Sequence, residues 1–315
     1  MLVVDGGDGI AVDGVKPLFR PPFKLFPFQA EFAARSYYNE ATILAADTGC
    51  GKSVISTATA CMLFEDNKID HLLIAAEKNK IWEWYDDIER YSELTRAIYT
   101  GTKDKKAKLR ENLPQVLIGT FETLRNDLAY WVETDKNKRG KTLASGPLLE
   151  LLQTKRIMVI LDEGPAKIGA QRTSLMYQAY DRLFTRTRKN GTLKIVNCSA
   201  TYVDRDPVGF HNVAHLMWPE QVGTVEEFKR DHIASYDWWN NPTQFKNLHP
   251  DACEPGVVSL LGKIGEGNIL VKSKMDDDIK DLFPDMKPDV SFIRLSKAER
   301  DFYRWIVKEY SNSED

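Results

Sequence analysis

The stretch Thr42-Ile43-Leu44-Ala45-Ala46-Asp47-Thr48-Gly49-Cys50-Gly51-Lys52-Ser53 constrains this chain more than any other. Ile43 to Ala46 form a short apolar run, the pattern of a strand covered on both faces. Gly49 and Gly51 let the backbone curl so that several N–H groups turn inward. A helix opening near Lys52 adds its N-terminal partial positive charge at the same point. This arrangement suits a phosphate. The amides of Thr48, Gly49, Cys50 and Gly51 would cradle it, Lys52 would reach the β- and γ-phosphates, and the Ser53 hydroxyl would bind Mg²⁺. The pattern G-x-x-x-x-G-K-[ST] is met at every fixed position but the first, where Ala46 replaces Gly. The plainer alternative is a glycine turn that merely caps a helix. The strand before, the helix after and the Gly-Lys-Ser core favour the phosphate.

A second stretch, Arg156 to Gly164, is an apolar strand ending in Asp162-Glu163. Side chains alternate along a strand, so adjacent carboxylates point differently. One of the two can hold Mg²⁺ while the other faces an attacking water. Leu193 to Thr201 reads as a further strand that ends in Ser199-Ala200-Thr201. Two small hydroxyl residues there could equally begin a turn. Upstream, Gln29 starts a helical pattern that runs to about Asn39, and its amide could pair with an adenine edge. An ordinary exposed glutamine is the alternative.

Between these motifs, strands are expected over residues 71–76, 95–100 and 115–120. Helices are expected over 81–91, 103–109, 121–132, 148–152 and 174–185. Such alternation implies a parallel sheet with helices on both faces, and ligands at the carboxyl ends of its strands. Residues 133–146 read as a polar, basic surface loop, with a nucleic-acid contact as the lesser alternative. From Tyr202 the texture changes to helical stretches near 207–218, 225–236 and 257–264, broken by Gly, Pro and Asn. His211 and His215 lie four apart but lack the Glu of H-E-x-x-H, so they read as surface or packing histidines. A strand over 290–295, a last helix to about Tyr310 and a polar tail close the chain. At the other end, residues 1–15 read as two short strands around an Asp-Gly-Gly-Asp turn.

The four cysteines never stand in C-x-x-C spacing. That speaks against zinc or a disulfide framework and suits a reducing compartment. Asp5 and Asp8, with no basic run, speak against a signal peptide. No apolar run approaches a membrane span. The expected location is cytoplasmic, or nuclear in a eukaryote, and not secreted, with no membrane partner. A net charge of −3 leaves nucleic acid open, because a basic face can hide in a balanced total. The run Lys103, Lys105, Lys106, Lys108 and Arg110 reads equally as such a face or as a solvated helix.

In order, these motifs resemble the first, RecA-like motor lobe of superfamily-two helicases, and most closely the Swi/Snf-type ATPases. The Gln motif is Phe26-Pro27-Phe28-Gln29, motif I runs from Ala46 to Ser53, motif II is Asp162-Glu163-Gly164-Pro165, and motif III is Ser199-Ala200-Thr201. Leu72–Trp82 is similar to motif Ia, and Ile118–Leu124 to motif Ib. Pro165 stands where motif II usually has His, and Ala76 where motif Ia often has Pro. The resemblance implies a three-layer α/β P-loop lobe with a mostly parallel sheet of about seven strands. It implies an extension over 1–22, the lobe over 23–202, a helical insertion over 203–285, and a returning strand and helix over 286–315. It further implies ATP and Mg²⁺ as cofactors and a DNA-stimulated ATPase activity. Ser199 and Thr201 would couple nucleotide state to the nucleic-acid path. Lys78, Lys80, Thr120 and Thr123 would touch backbone phosphates. The implied partners are double-stranded DNA and a second RecA-like lobe. A nucleotide-binding or interaction module without turnover is the competing class.

Overall fold

A computed structural model describes residues 18–133, 141–169, 171–200, 207–236, 242–245 and 264–280. The chain divides into two compact units, residues 1–273 and 274–315. Every strand and helix described below lies in the first.

Seven strands form one parallel sheet in the order β11-β1-β8-β7-β2-β4-β3. They are β1 (Ala41–Ala46), β2 (His71–Ala76), β3 (Arg96–Ile98), β4 (Val116–Thr120), β7 (Ile157–Asp162), β8 (Leu193–Ser199) and β11 (Ile269–Lys272). Parallel neighbours need crossovers, and helices supply most of them. These are α2 (Lys52–Glu65), α3 (Ile81–Tyr91), α4 (Lys103–Glu111), α5 (Phe121–Leu128), α6 (Pro147–Leu152) and α8 (Leu175–Asn190). A helix before the sheet, α1 (Pro27–Tyr38), packs against α2. With both faces covered, central strands must be apolar throughout. In β7, Ile157, Met158, Val159, Ile160 and Leu161 are all fully buried. Each such side chain contributes about 1.5–3 kcal/mol relative to exposure.

Helix α2 follows a different logic. Ser56, Thr57, Ala58, Thr59, Ala60 and Cys61 are all buried along it, so small side chains let the helix lie close to its neighbours. The two threonine hydroxyls turn back onto the helix itself. Thr57 Oγ1 donates to Ser53 O at 2.8 Å and Thr59 Oγ1 to Ile55 O at 2.9 Å.

Three details differ from the sequence expectation. The helix expected over 121–132 stops at Leu128, and a hairpin of β5 (Ala129–Glu133) and β6 (Lys141–Ser145) follows. Tyr130, Trp131 and Val132 are β-prone and shift the run out of helix. So 133–146 is not simply a loop. Gly146 closes the hairpin onto α5, where a Cβ would lie 2.2 Å from Asp127 O. The strand expected over 95–100 is pared to Arg96–Ile98 at the sheet edge. Finally, β11 comes from inside the 203–285 stretch read as a helical insertion, and Ile43 to Ala46 pair with Ile269 to Lys272.

Past β8 the expected helices are present in part. They are α9 (Pro207–Met217), α10 (Pro219–Val222) and α11 (Val225–His232). After α11 the chain turns to strand, with β9 (Ile233–Tyr236) antiparallel to β10 (Pro242–Phe245). His211 is fully buried, with its ring 4.7 Å from that of Phe228, and Arg172 Nη2 lies 3.1 Å from its Nδ1. His215 lies 3.1 Å from the Tyr177 hydroxyl. Both are packing residues, as the sequence suggested. Burial, then Arg172 and Arg188, push the His215 pKa down to about 4. The expected elements over 1–15, 257–263 and 290–310 lie outside the described residues.

Candidate nucleotide site

The loop after β1 is set by two left-handed glycines, Gly49 at φ 94° and Gly51 at φ 84°. Gly51 is required twice over, because a Cβ there would lie 2.5 Å from Gln29 Nε2. That approach is a built contact. Gln29, only 4% exposed, donates from Nε2 to Cys50 O at 3.1 Å. Its Oε1 accepts from Phe26 N at 3.1 Å. The amide expected at an adenine edge thus braces the loop against the start of α1. The opposite flank is braced by β11. Asp47 N donates to Lys272 O at 3.0 Å, and Ser273 Oγ donates to Asp47 Oδ2 at 3.0 Å. Lys52 heads α2 and turns its Nζ onto Ala46 O at 2.7 Å.

Strand order brings the carboxylates to this loop. β8 lies between β1 and β7, so Ser199 ends beside the Asp162-Glu163 corner. Ser199 Oγ donates to Glu163 Oε2 in a short hydrogen bond. Glu163 itself is left-handed, at φ 58°. A non-glycine residue held there costs about 1–2 kcal/mol. Its backbone N–H donates to Cys198 O at 2.8 Å, and its carboxylate takes the Ser199 hydroxyl, so the corner is held from both sides. Gly164 must follow, since a Cβ would lie 2.6 Å from Asn197 Oδ1.

On the other side of β7 lies β2, and α3 starts from its carboxyl end. Trp84 Nε1 donates to Asp162 Oδ2 at 2.9 Å. Asp87, one turn further along α3, lines the same cleft as Ser53. Neither residue carried a signal in the sequence. Burial raises the pKa of Asp162; the Trp84 bond opposes this, and the Glu163 charge adds to it. Burial likewise raises Asp87, against the Ser53 hydroxyl.

Gln29, Thr48, Gly49, Gly51, Lys52, Ser53, Asp162 and Glu163 therefore line one cleft of ≈ 550 Å³. Cys50 does not line it; its side chain is buried and only its backbone serves the loop. The cleft also takes in Phe26 of the Gln motif, and Phe23, Lys24, Trp84, Asp87 and Tyr91, which the motifs did not single out. Lys80 lines it too, paired with Glu83 at 2.6 Å. Lys78 is exposed at the same strand end. Thr120 caps α5 by accepting from Thr123 N at 3.1 Å, and its hydroxyl donates to that of Thr123 at 2.9 Å. Thr201 lies outside the described residues.

The oxygen set fits a hard dication. Ser53, Asp162 and Asp87 offer a hydroxyl and two carboxylates whose charge burial disfavours, so a cation would relieve them. Among the described residues, no group of three or more His, Cys, Asp or Glu could hold a metal alone.

Comparison with known proteins bears on the same residues. A profile of the SNF2-related domain matches residues 29–313. The chain belongs to the SNF2-related domain family. The SNF2-related chain is 23% identical over 290 residues to the CHD3-type chromatin-remodeling factor PICKLE of Arabidopsis thaliana, covering 90% of itself and 19% of that protein. Its fold matches that of the Sulfolobus solfataricus SWI2/SNF2 ATPase core in complex with dsDNA. That match has a TM-score of 0.59 and 15% identity, and covers 95% of this chain and 55% of the other. The same core described without dsDNA gives a TM-score of 0.56 at 14% identity, covering 95% and 53%. The chain thus spans about a fifth of the plant relative and just over half of the archaeal cores. The seven-stranded parallel sheet is the RecA-like arrangement that the motif order implied.

Proposed function

We propose that this SNF2-related domain is the ATP-binding lobe of a DNA-dependent, Swi/Snf-type translocase. The observation that carries the reading is one juxtaposition. The phosphate loop, the Asp162-Glu163 corner and Ser199 meet at the carboxyl ends of the adjacent strands β1, β8 and β7. In this reading the loop amides and Lys52 hold the phosphates. Ser53 and Asp162 hold Mg²⁺, which neutralises charge on the phosphates when bound. Glu163 takes the proton of the attacking water, and Ser199 holds its carboxylate in place. Gln29 sets the loop rather than reading the base.

Trp84 is the positioning residue for Asp162 in this account. Trp84→Phe keeps the ring but loses the indole N–H, leaving one carboxylate oxygen without its donor. We expect it to weaken the Mg²⁺ dependence of nucleotide binding by about 3–10-fold, the worth of one hydrogen bond to a charged group partly replaced by water. Nucleotide affinity without Mg²⁺ should be unchanged. Titration of Mg²⁺ against a fluorescent ATP analogue measures both.

The dsDNA named with the archaeal core and the remodelling role of the plant relative support a DNA partner. Lys78, Thr120 and Thr123 stand at the carboxyl ends of β2 and β4 as candidate backbone contacts. In α4 two cations are engaged by the fold, Lys106 to Asp127 at 2.6 Å and Arg110 to the Tyr99 hydroxyl at 2.5 Å. Lys103, Lys105 and Lys108 stay exposed. Duplex binding should therefore weaken with salt at a log–log slope of about −0.9 per phosphate contacted. Fluorescence anisotropy over a salt series tests this. Tight, salt-insensitive binding would argue for base stacking or another surface.

A further inference from the structure

A second recess lies away from the nucleotide cleft, between β6 and α8. It has a volume of ≈ 660 Å³ and is lined by Thr142, Leu143, Arg172, Tyr177, Gln178, Asp181, Arg182, Thr185 and Arg186. Its charge is unbalanced, with three arginines facing one carboxylate.

Each arginine is held by neutral groups. Arg172 Nε donates to Asn212 Oδ1 at 2.8 Å, Arg182 Nη1 to Leu143 O, and Arg186 Nη1 to Gln153 Oε1 at 2.9 Å. Among the described residues none of the three has an acidic partner within ion-pair distance. Neutral acceptors fix a guanidinium without cancelling its charge, and they leave further N–H groups of the fork for a ligand. Asp181 can offset one of these charges and leaves the lining cationic; burial raises its pKa, and Arg172 and Arg188 oppose that. All three arginines are half-buried, which strengthens their attraction for an anion relative to a fully solvated cation.

The shape of the recess narrows the ligand. Arg182 and Arg186 are one helical turn apart on α8, about 6 Å. Arg172 precedes the helix by three residues. Cations in such a row suit a ligand with several anionic groups along its length. One wall is strand β6, which among the described residues pairs only with β5 and turns the Leu143 carbonyl toward α8, where Arg182 takes it. Hydroxyls of Thr142 and Thr185 and the amide of Gln178 add neutral donors and acceptors of the kind that a peptide backbone uses. We propose that this recess binds an extended acidic peptide segment, with Glu or Asp side chains on Arg182 and Arg186.

The proposal is independent of the nucleotide site, and its test keeps the two apart. Fluorescein-labelled hexaglutamate is titrated into the 315-residue chain, with hexaglutamine, tripolyphosphate and a single-stranded oligonucleotide as competitors. Binding of hexaglutamate, and no competition by hexaglutamine, is expected. Arg186→Glu and Arg182→Gln should each weaken it about 10–100-fold, the worth of a hydrogen-bonded charge pair. Affinity for a fluorescent ATP analogue should stay unchanged in both variants, which also reports that they are folded. Arg182→Gln retains an amide donor for Leu143 O, and Arg186 touches only a side chain, so the fold is not at stake. Absence of hexaglutamate binding would overturn the proposal, as would equal affinity in Arg186→Glu. Displacement by tripolyphosphate or the oligonucleotide at lower concentration than by unlabelled hexaglutamate would also overturn it, in favour of a phosphate site.

Discussion

Glu163→Gln is expected to leave nucleotide binding intact while lowering ATP turnover by about 10²–10⁴-fold, the usual cost of removing a general base. The amide has the shape of the carboxylate but cannot take a proton. Its carbonyl oxygen can still accept from Ser199 Oγ, so the left-handed corner keeps its support. The adjacent Asp162 keeps its bond from Trp84 and its place at the metal. Single-turnover hydrolysis beside equilibrium binding separates the two effects. Near-normal turnover would move the base to another residue, and Asp87 is then the first candidate, since it shares the cleft and burial raises its pKa.

The second large effect concerns a group absent from the described lining of the cleft. Its described lining holds three cationic side chains, Lys24, Lys52 and Lys80, and no arginine. In phosphoryl-transfer machines an arginine from a facing element meets the developing charge and is worth about 10³–10⁵ in rate. Hydrolysis by the 315-residue chain should therefore be slow and little stimulated by DNA. A facing RecA-like lobe that supplies the arginine should raise it within that range. The measurement is steady-state hydrolysis over a wide span of protein concentration, with and without duplex DNA. Fast, DNA-stimulated turnover whose specific rate is independent of concentration would place that arginine within these residues. A rate rising with concentration would point to an arginine in trans. Arg188 is engaged by Glu40 and by the carbonyls of Leu216 and Met217. Arg186 lines the other recess.

Much of the site was legible in the sequence because its motifs are local. Gly49 and Gly51 announce a left-handed turn, and an apolar run before them announces a buried strand. Asp162-Glu163 and Ser199 could be placed for the same reason, each at the end of a run buried on both faces. What was not legible depends on strand order. Trp84 and Asp87 meet Asp162 and Ser53 only because β2 lies beside β7, and nothing in a single sequence states that adjacency. The bracing of Asp47 by Lys272 and Ser273 is likewise long-range. β11 itself is four residues long and sits in a stretch rich in Gly, Asn and Asp, too short for period-two alternation to declare it. The β5–β6 hairpin was hidden differently, since its aromatic run continues the apolar pattern of α5 without a break in composition.

The account rests on one claim, that ATP–Mg²⁺ binds at the loop between β1 and α2. Titration calorimetry of ATP into the wild-type chain and Lys52→Ala, each with and without Mg²⁺, tests it most directly. Lys52 supplies the only side-chain cation of the loop, and its present partner is a backbone carbonyl, so its loss removes a phosphate contact rather than a structural ion pair. The account predicts Mg²⁺-dependent binding to the wild-type chain and no measurable binding to Lys52→Ala. Equal affinity in the two proteins would contradict it.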